Sequence, residues 1–311
     1  MRSLSLEQVE LVKAAANEGL SQFPAGALEK DIHLTEVLRA LRQIESAELE
    51  LVFCGGTSLV KAYGYLNRMS EDIDIKVVDR STRTTSATRT QMSQLKAKIA
   101  DAFLEAGFGT ALGDALSANR FMSFNLNYEP QFPSEVSLRP EIKVECTYAP
   151  AHLPVETRQI STLLYRDAHL SEEHLDFACI AMEETLAEKV LAFLRRHLRS
   201  SASGYSDERL VRHVDDAHIL KNMNPNMDST RRAFGLAVRE DAKKFANQDA
   251  AFLHNSKTVL WDSLAKMRSD SQLRSSYSEF VVDLVAGDAP EFEAVFGSFV
   301  ALANELISSL D

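Results

Sequence analysis

Apolar positions along the chain follow two periods, and the change from one to the other outlines the fold. Two amphipathic helices are predicted first. Residues 3–20 carry an apolar stripe of Val9, Leu11, Val12 and Ala15, with Ser5 and Gln8 at capping-box spacing. After a break at Pro24-Ala25-Gly26, LEKDIHLTEVLRALRQI turns Leu34, Val37, Leu38 and Leu41 inward. The period then shortens. Leu51-Val52-Phe53 is a short apolar run that stops at Gly55-Gly56, a buried strand entering a tight turn. Helical spacing returns through Leu59, Ala62, Tyr63 and Leu66, and Asp72 to Val77 alternates as a second strand.

Asp79 to Thr90 is dense in Ser and Thr with Arg80, Arg83 and Arg89, and reads as a flexible loop or a basic flap over phosphates or RNA. A helix from Gln91 to Ala106 ends at Gly107. Asn119–Tyr128 and Glu141–Thr147 alternate on either side of a turn at Pro130–Pro140, an antiparallel pair beside the first two strands. The character changes at Leu153. One short strand is expected at Phe177–Ala181, then a helix from Glu183 to Arg199 with Leu186, Val190, Leu191, Phe193 and Leu194 as its apolar face. A loop follows at Ser200–Ser206, another helix begins at Glu208, and the remainder is helical with breaks near Asn222–Asn226 and Gly287–Pro290. There is no internal repeat.

Period 2 sends Asp72 and Asp74 to one face of their strand while Ile73, Ile75 and Val77 enter the core. Neighbouring carboxylates repel each other, and a divalent cation between them removes that cost. The glycine turn opens a helix whose first N–H groups and hydroxyls suit an anion. Anion cradle and paired acids together predict a site for a metal and a nucleoside triphosphate. Glu141, Lys143 and Glu145 also share a face, which a wet edge strand would explain equally well.

Gly-Gly-Thr-Ser, a helix, then Asp-x-Asp on a strand resembles the nucleotidyltransferase motif of the DNA polymerase β superfamily. The longer string GGTSLVKAYGYLNRMSEDID resembles the AbiEii/AbiGii toxins of type IV toxin–antitoxin systems. The Glu29-Lys30-Asp31 stretch also resembles what precedes the turn in that family, although alone it reads as a helix-start charge pattern. The resemblance implies metal ligation by Asp72, Asp74 and a third carboxylate, Glu145 with Glu141 as its competitor. It implies that Gly55, Gly56, Thr57 and Ser58 hold the β- and γ-phosphates. TLAEKVLAFLRR and RHVDDAHIL resemble the later motifs, which puts Lys189, Arg196 (or Arg195) and Asp216 at the nucleotide. Solvated ion pairs are the other reading of those charges. Asp215 stands where the family tends to carry an aromatic, and His213 is close by. The cofactor implied is Mg2+, one or two ions, with an NTP as substrate. The partners implied are an acceptor such as a tRNA end or a protein, and an antitoxin.

Composition adds limits. The 311 residues are 45% hydrophobic and 25% charged, an ordinary globular balance large enough for one or two domains. No apolar stretch is long enough to cross a membrane and no signal-peptide pattern is present. Cys54, Cys146 and Cys179 are widely spaced in apolar runs, as expected of reduced core thiols in a cytoplasmic protein. A net charge of −11 argues against broad nucleic-acid binding but permits a local basic groove.

The expectation is therefore an α+β protein. Residues 1–150 would form a nucleotidyltransferase domain whose mixed sheet lies near residues 40–150, and residues 151–311 a mainly helical domain completing the active-site cleft. Besides a toxin acting on tRNA, two functions remain open. One is nucleotidyl transfer to a small molecule or protein, which suits the acidic surface. The other is a non-catalytic NTP-binding partner protein, against which the intact Asp72, Asp74 and Lys189 speak.

Overall fold

The Ser5 hydroxyl accepts the Gln8 N–H and the Gln8 side chain accepts that of Ser5, closing the capping box that opens α1 (Leu6–Glu18). Gly19, in the left-handed region at φ 66°, ends it. The structure, a computed structural model, describes residues 1–311 apart from 47, 67, 82–84, 117–119, 134–137, 140, 172–174, 204–209 and 248, and apart from the side chains of 85–86, 110–116 and 199–203. The expected break at Pro24-Ala25-Gly26 is the start of α2 (Ala25–Arg42), in which Leu34, Val37, Leu38 and Leu41 are all buried.

Seven strands follow in one mixed sheet: β1 (Leu49–Cys54), β2 (Asp72–Asp79), β3 (Gly109–Leu116), β4 (Phe121–Asn127), β5 (Glu141–Tyr148), β6 (Glu156–Gln159) and β7 (Asp176–Cys179), in the order β3-β4-β5-β2-β1-β7-β6. The β2–β5 and β1–β7 pairs are parallel and the others antiparallel. Between the strands run α3 (Gly55–Lys61), α4 (Thr85–Glu105) and α5 (Leu163–Asp167). One sheet face is the core, with Phe53, Ile73, Ile75, Phe124, Ile142 and Val144 fully buried. Across it α4 packs on β3, β4 and α2, and Phe103 meets Phe124 edge-on at 5.5 Å.

Four sequence expectations shift. The helix after the glycine turn stops at Lys61, so Tyr63 and Leu66 lie beyond it, and Gly64 at φ 65° starts the return towards β2. Arg89 is helical because α4 already begins at Thr85, while Arg83 lies outside the described residues. The helix expected to stop at Arg199 continues to Ser203. Strands β3 and β6 have no counterpart in the periodicity, since GTALGDAL is built of small residues and ETRQ is polar throughout.

Met1–Ala151 and Val155–Ile180 form one compact unit; His152–Pro154 and Ala181–Asp311 form the other. Residues 155–180, with β6, α5 and β7, thus run with the sheet. The second unit contains α6 (Met182–Ser203), α7 (Val211–Asn222), α8 (Met227–Lys244), α9 (Ala250–Met267), α10 (Gln272–Leu284) and α11 (Phe292–Ser308). Helix α6 is its axis, packed by α7, α8, α9 and α11. Phe193 meets Phe299 of α11 at 4.9 Å. The backbone N–H groups of His152 and Leu153 both donate to the buried Glu184 carboxylate at 2.8 Å, which fastens that short segment to α6. Among the described residues no helix is long and apolar enough to cross a membrane, and all three cysteines are buried and in no disulfide.

Candidate active site

β1 must turn sharply to deliver α3, and Gly55 does so at φ 75°. A second reason for glycine lies above it. A Cβ at this position would come within 2.2 Å of Asp74 Oδ2, so the Asp74 carboxylate rests directly on the turn. Thr57 and Ser58 are buried, and their hydroxyls serve the turn itself. Thr57 Oγ1 bonds Ser70 Oγ at 2.7 Å and donates to the Asp72 carbonyl, while Ser58 Oγ donates to the Gly55 carbonyl at 2.9 Å. The turn and the lead-in to β2 are therefore laced together.

The register of β2 on β5 decides which acids meet. Asp74 stands opposite Glu145 and Asp72 opposite Lys143, all on the face away from the core. Glu141 lies a further step towards the start of β5, opposite Asn127 of β4. Two cations face the three carboxylates: Arg139 Nη2 donates to Asp72 Oδ2 at 2.8 Å, and Lys143 pairs with Glu145. Burial raises the Asp72 carboxyl above its ordinary value, Glu71 and Glu145 add to this, and Arg139 opposes it. Neither cation belongs to a sequence motif. Lys143 was visible as an alternate residue of β5, whereas Arg139 sits in an irregular segment with no motif to mark it.

Beneath the site lies a charged hub. Glu29, Lys30 and Asp31, read above as a helix-start pattern, occupy the fully buried interior of α2. Glu29 accepts the N–H groups of Gln131 and Phe132 at 2.8 and 3.1 Å. Lys30 pairs with Glu71 at 2.9 Å. Asp31 takes Lys61 of α3 at 2.7 Å and the N–H of Leu163 at 2.7 Å. Glu71 is held below the usual carboxylate range: burial works to raise it, and Lys30 and Arg139 together outweigh that. The trio thus pins the end of α3, the entry to β2 and the segment before β5, three pieces that meet at the acidic face.

Residues 36–298 match the family model of the nucleotidyl transferase AbiEii toxin of type IV toxin–antitoxin systems. The chain belongs to the AbiEii family. It is accordingly a nucleotidyltransferase of a toxin family, whose systems pair each toxin with an antitoxin. Its fold is similar to that of MenT4, a nucleotidyltransferase toxin from Mycobacterium tuberculosis H37Rv, with a TM-score of 0.57 and 17% identity over 99% of this chain and 91% of that one. No curated protein matches it significantly by sequence.

The two stretches that resemble later AbiEii motifs, TLAEKVLAFLRR and RHVDDAHIL, lie on α6 and α7. Lys189 and Asp216 form a buried ion pair, Asp216 without exposure at all. The adjacent acid is separated from it by the helical turn: Asp215 accepts from Tyr277 of α10 at 3.3 Å, while Asp216 faces α6. His213 is half-buried on the same helix. Arg195 and Arg196 also part company. Arg195 pairs with Asp241 and lies over the rings of Phe245 and Phe252 at 4.1 and 5.1 Å. Arg196 is exposed and, seven residues after Lys189, shares its side of the helix. The Arg199 side chain lies outside the described residues. Nearby on α6, Glu184 and Glu188 with His152 place possible metal donor atoms within 4.8 Å of one another, but Glu184 already anchors the His152 segment.

On the sheet, the donor set suits a divalent cation. Asp72 and Glu145 are about a third exposed, all three acids are hard oxygen donors, and Gly55 leaves room for Asp74 where any side chain would collide.

Proposed function

We propose that the chain transfers a nucleoside monophosphate from an NTP to an acceptor hydroxyl, using Mg2+ held by Asp72, Asp74 and Glu145, with a tRNA end as acceptor until an antitoxin restrains it. The observation that carries this reading is the register of β2 on β5, which sets Glu145 beside Asp74 with the glycine turn under Asp74. The acceptor oxygen attacks the α-phosphorus, the bond to the bridging oxygen of the β-phosphate breaks, and pyrophosphate leaves. The bound cation supplies Lewis acidity, lowering the acceptor pKa and neutralising the departing charge. The turn Gly55, Gly56, Thr57, Ser58 would steady the β- and γ-phosphates. There Thr57 and Ser58 act through the backbone they brace, since their hydroxyls already donate to carbonyls of the turn and of Asp72. Lys189, whose ammonium the buried Asp216 carboxylate orients, and Arg196 are the nucleotide-binding cations that the family resemblance implies.

A second reading, transfer to a protein or small molecule, draws on the net charge of −11 and on Arg80 and Arg195, which are engaged with Glu50 and Asp241. Incubation with each labelled NTP, Mg2+ and either total RNA or cell extract depleted of RNA decides between them. Label in RNA that vanishes with Asp74→Asn, in a variant that melts like wild type, supports the first reading. Label confined to the RNA-free extract establishes the second. Absence of Asp74-dependent labelling from both overturns nucleotidyl transfer at this site.

A further inference from the structure

Arg139 reaches the acidic face from the segment between β4 and β5, and its backbone is fixed at both polar groups. Its N–H donates to Glu71 Oε2 at 2.9 Å, and its carbonyl accepts from Lys30 Nζ at 2.7 Å. Lys30 and Glu71 close the ring at 2.9 Å. Both are almost fully buried, so this three-membered clamp has no ready alternative in solvent. With the backbone held, the guanidinium is delivered to Asp72: Nη2 lies 2.8 Å from Oδ2, and Nε stands 3.6 Å from Glu71 Oε1. The side chain itself is about a quarter exposed, at 27%, and so is free to swing where its anchor is not.

We propose that Arg139 is a tethered counter-ion that occupies Asp72 while no divalent cation is bound and must release it when one is. Loading of the cation thereby becomes conditional on the nucleotide, whose phosphates take over the displaced guanidinium. The inference rests on the reading of Asp72, Asp74 and Glu145 as the cation site. A dication bound at Asp72 repels the guanidinium that lies 2.8 Å from Oδ2, and without an anion beside them nothing offsets that repulsion. Triphosphate oxygens are forked acceptors that match guanidinium geometry, so a nucleotide offers it an equivalent partner. The clamp keeps Arg139 within reach of both. Lys143 differs in kind, because it pairs with Glu145 on its own strand and not with Asp72. Arg139 is thus a positioning residue that sets the order and strength of loading.

The test is titration of Mn2+ into the full chain, followed by the loss of the free-ion paramagnetic signal, with and without a non-hydrolysable NTP. Wild type is compared with Arg139→Gln, Arg139→Lys and Asp74→Asn, each checked by thermal melting. Without nucleotide, Arg139→Gln should bind Mn2+ about three- to tenfold more tightly, the weight of one partly exposed charged hydrogen bond. Arg139→Lys should stay near wild type, and added nucleotide should abolish or reverse the advantage of the glutamine variant. Damage to a merely structural residue would weaken binding instead. If Asp74→Asn abolishes Mn2+ binding while Arg139→Gln leaves it unchanged or weaker, the counter-ion role is overturned and the cation site stands. If Mn2+ binding is absent or indifferent to Asp74→Asn, the cation site fails and this inference with it. Arg139→Met, which keeps the aliphatic stem, repeats the comparison should the glutamine variant not fold.

Discussion

Replacing Gly55 by alanine separates the needs of the fold from those of the site. The added methyl would lie 2.2 Å from Asp74 Oδ2, 2.9 Å from Cγ and 3.0 Å from Cβ. Ordinary contact begins at 3.4 Å, so the oxygen must retreat by about 1.2 Å (3.4 − 2.2). Asp74 is half-exposed and can rotate away, which absorbs most of the clash. The backbone cost remains: φ 75° is left-handed, worth about 1–2 kcal/mol for a residue with a Cβ. Stability should therefore fall by roughly that amount, a few degrees in Tm. Activity should fall much further, because displacing a reacting group by about an ångström costs on the order of 100-fold. Initial rates of labelled nucleotide transfer, measured beside urea unfolding of the same preparation, supply both numbers. An alanine variant that keeps its rate within about threefold would refute the argument, since Asp74 would then not need the place that Gly55 leaves for it.

Three other outcomes follow from buried charges. Lys30→Met removes the buried partner of Glu71 and leaves it to Arg139, so urea unfolding should show a loss of about 1–3 kcal/mol; a loss below about 0.5 kcal/mol would mean that the pair is solvated. Lys189→Met should destabilise similarly by removing the cation that faces the buried Asp216, and adding Asp216→Leu should restore stability but not transfer. Transfer by that double variant at the wild-type rate would remove both residues from the reaction. His33 is buried against Tyr128 with no hydrogen bond to either ring nitrogen, and burial, helped by Arg2, lowers it from 6.5 to about 4. Between those values the unfolded chain binds a proton that the folded chain does not, so stability is lost as pH falls through this window and no further below it. At about 1.4 kcal/mol per pH unit that is roughly 3 kcal/mol, which His33→Leu should lack when its urea-derived stability is compared with wild type from pH 7 to 4.

What the sequence made legible is what local periodicity carries. Asp72 and Asp74 alternate with Ile73 and Ile75, so their common face could be read directly, and Ser5 with Gln8 announced the first cap. Pairing partners could not be read, because register depends on strands more than sixty residues apart; only the β2–β5 ladder places Glu145, and not Glu141, opposite Asp74. The interior of α2 was misread for a physical reason. Three consecutive charges normally lie in water, and here each is bonded by a group distant in sequence: Lys61, Glu71, or the backbone N–H groups of Gln131 and Phe132. Arg139 was invisible for the same reason, its place being set by Lys30 and Glu71.

The ladder between β2 and β5 has a consequence for how this sequence can drift. A one-residue insertion or deletion within either strand would rotate every later side chain to the opposite face, sending carboxylates into the core and Ile73 or Val144 into water. Substitutions on the wet face change chemistry one position at a time, whereas changes of length inside the strands erase the site in a single step. The segment joining β4 to β5 obeys a looser rule. Between Phe132, which Glu29 holds, and Arg139, which the Lys30–Glu71 pair holds, it can lengthen or shorten, so natural variation in length is expected there and not in the strands it connects.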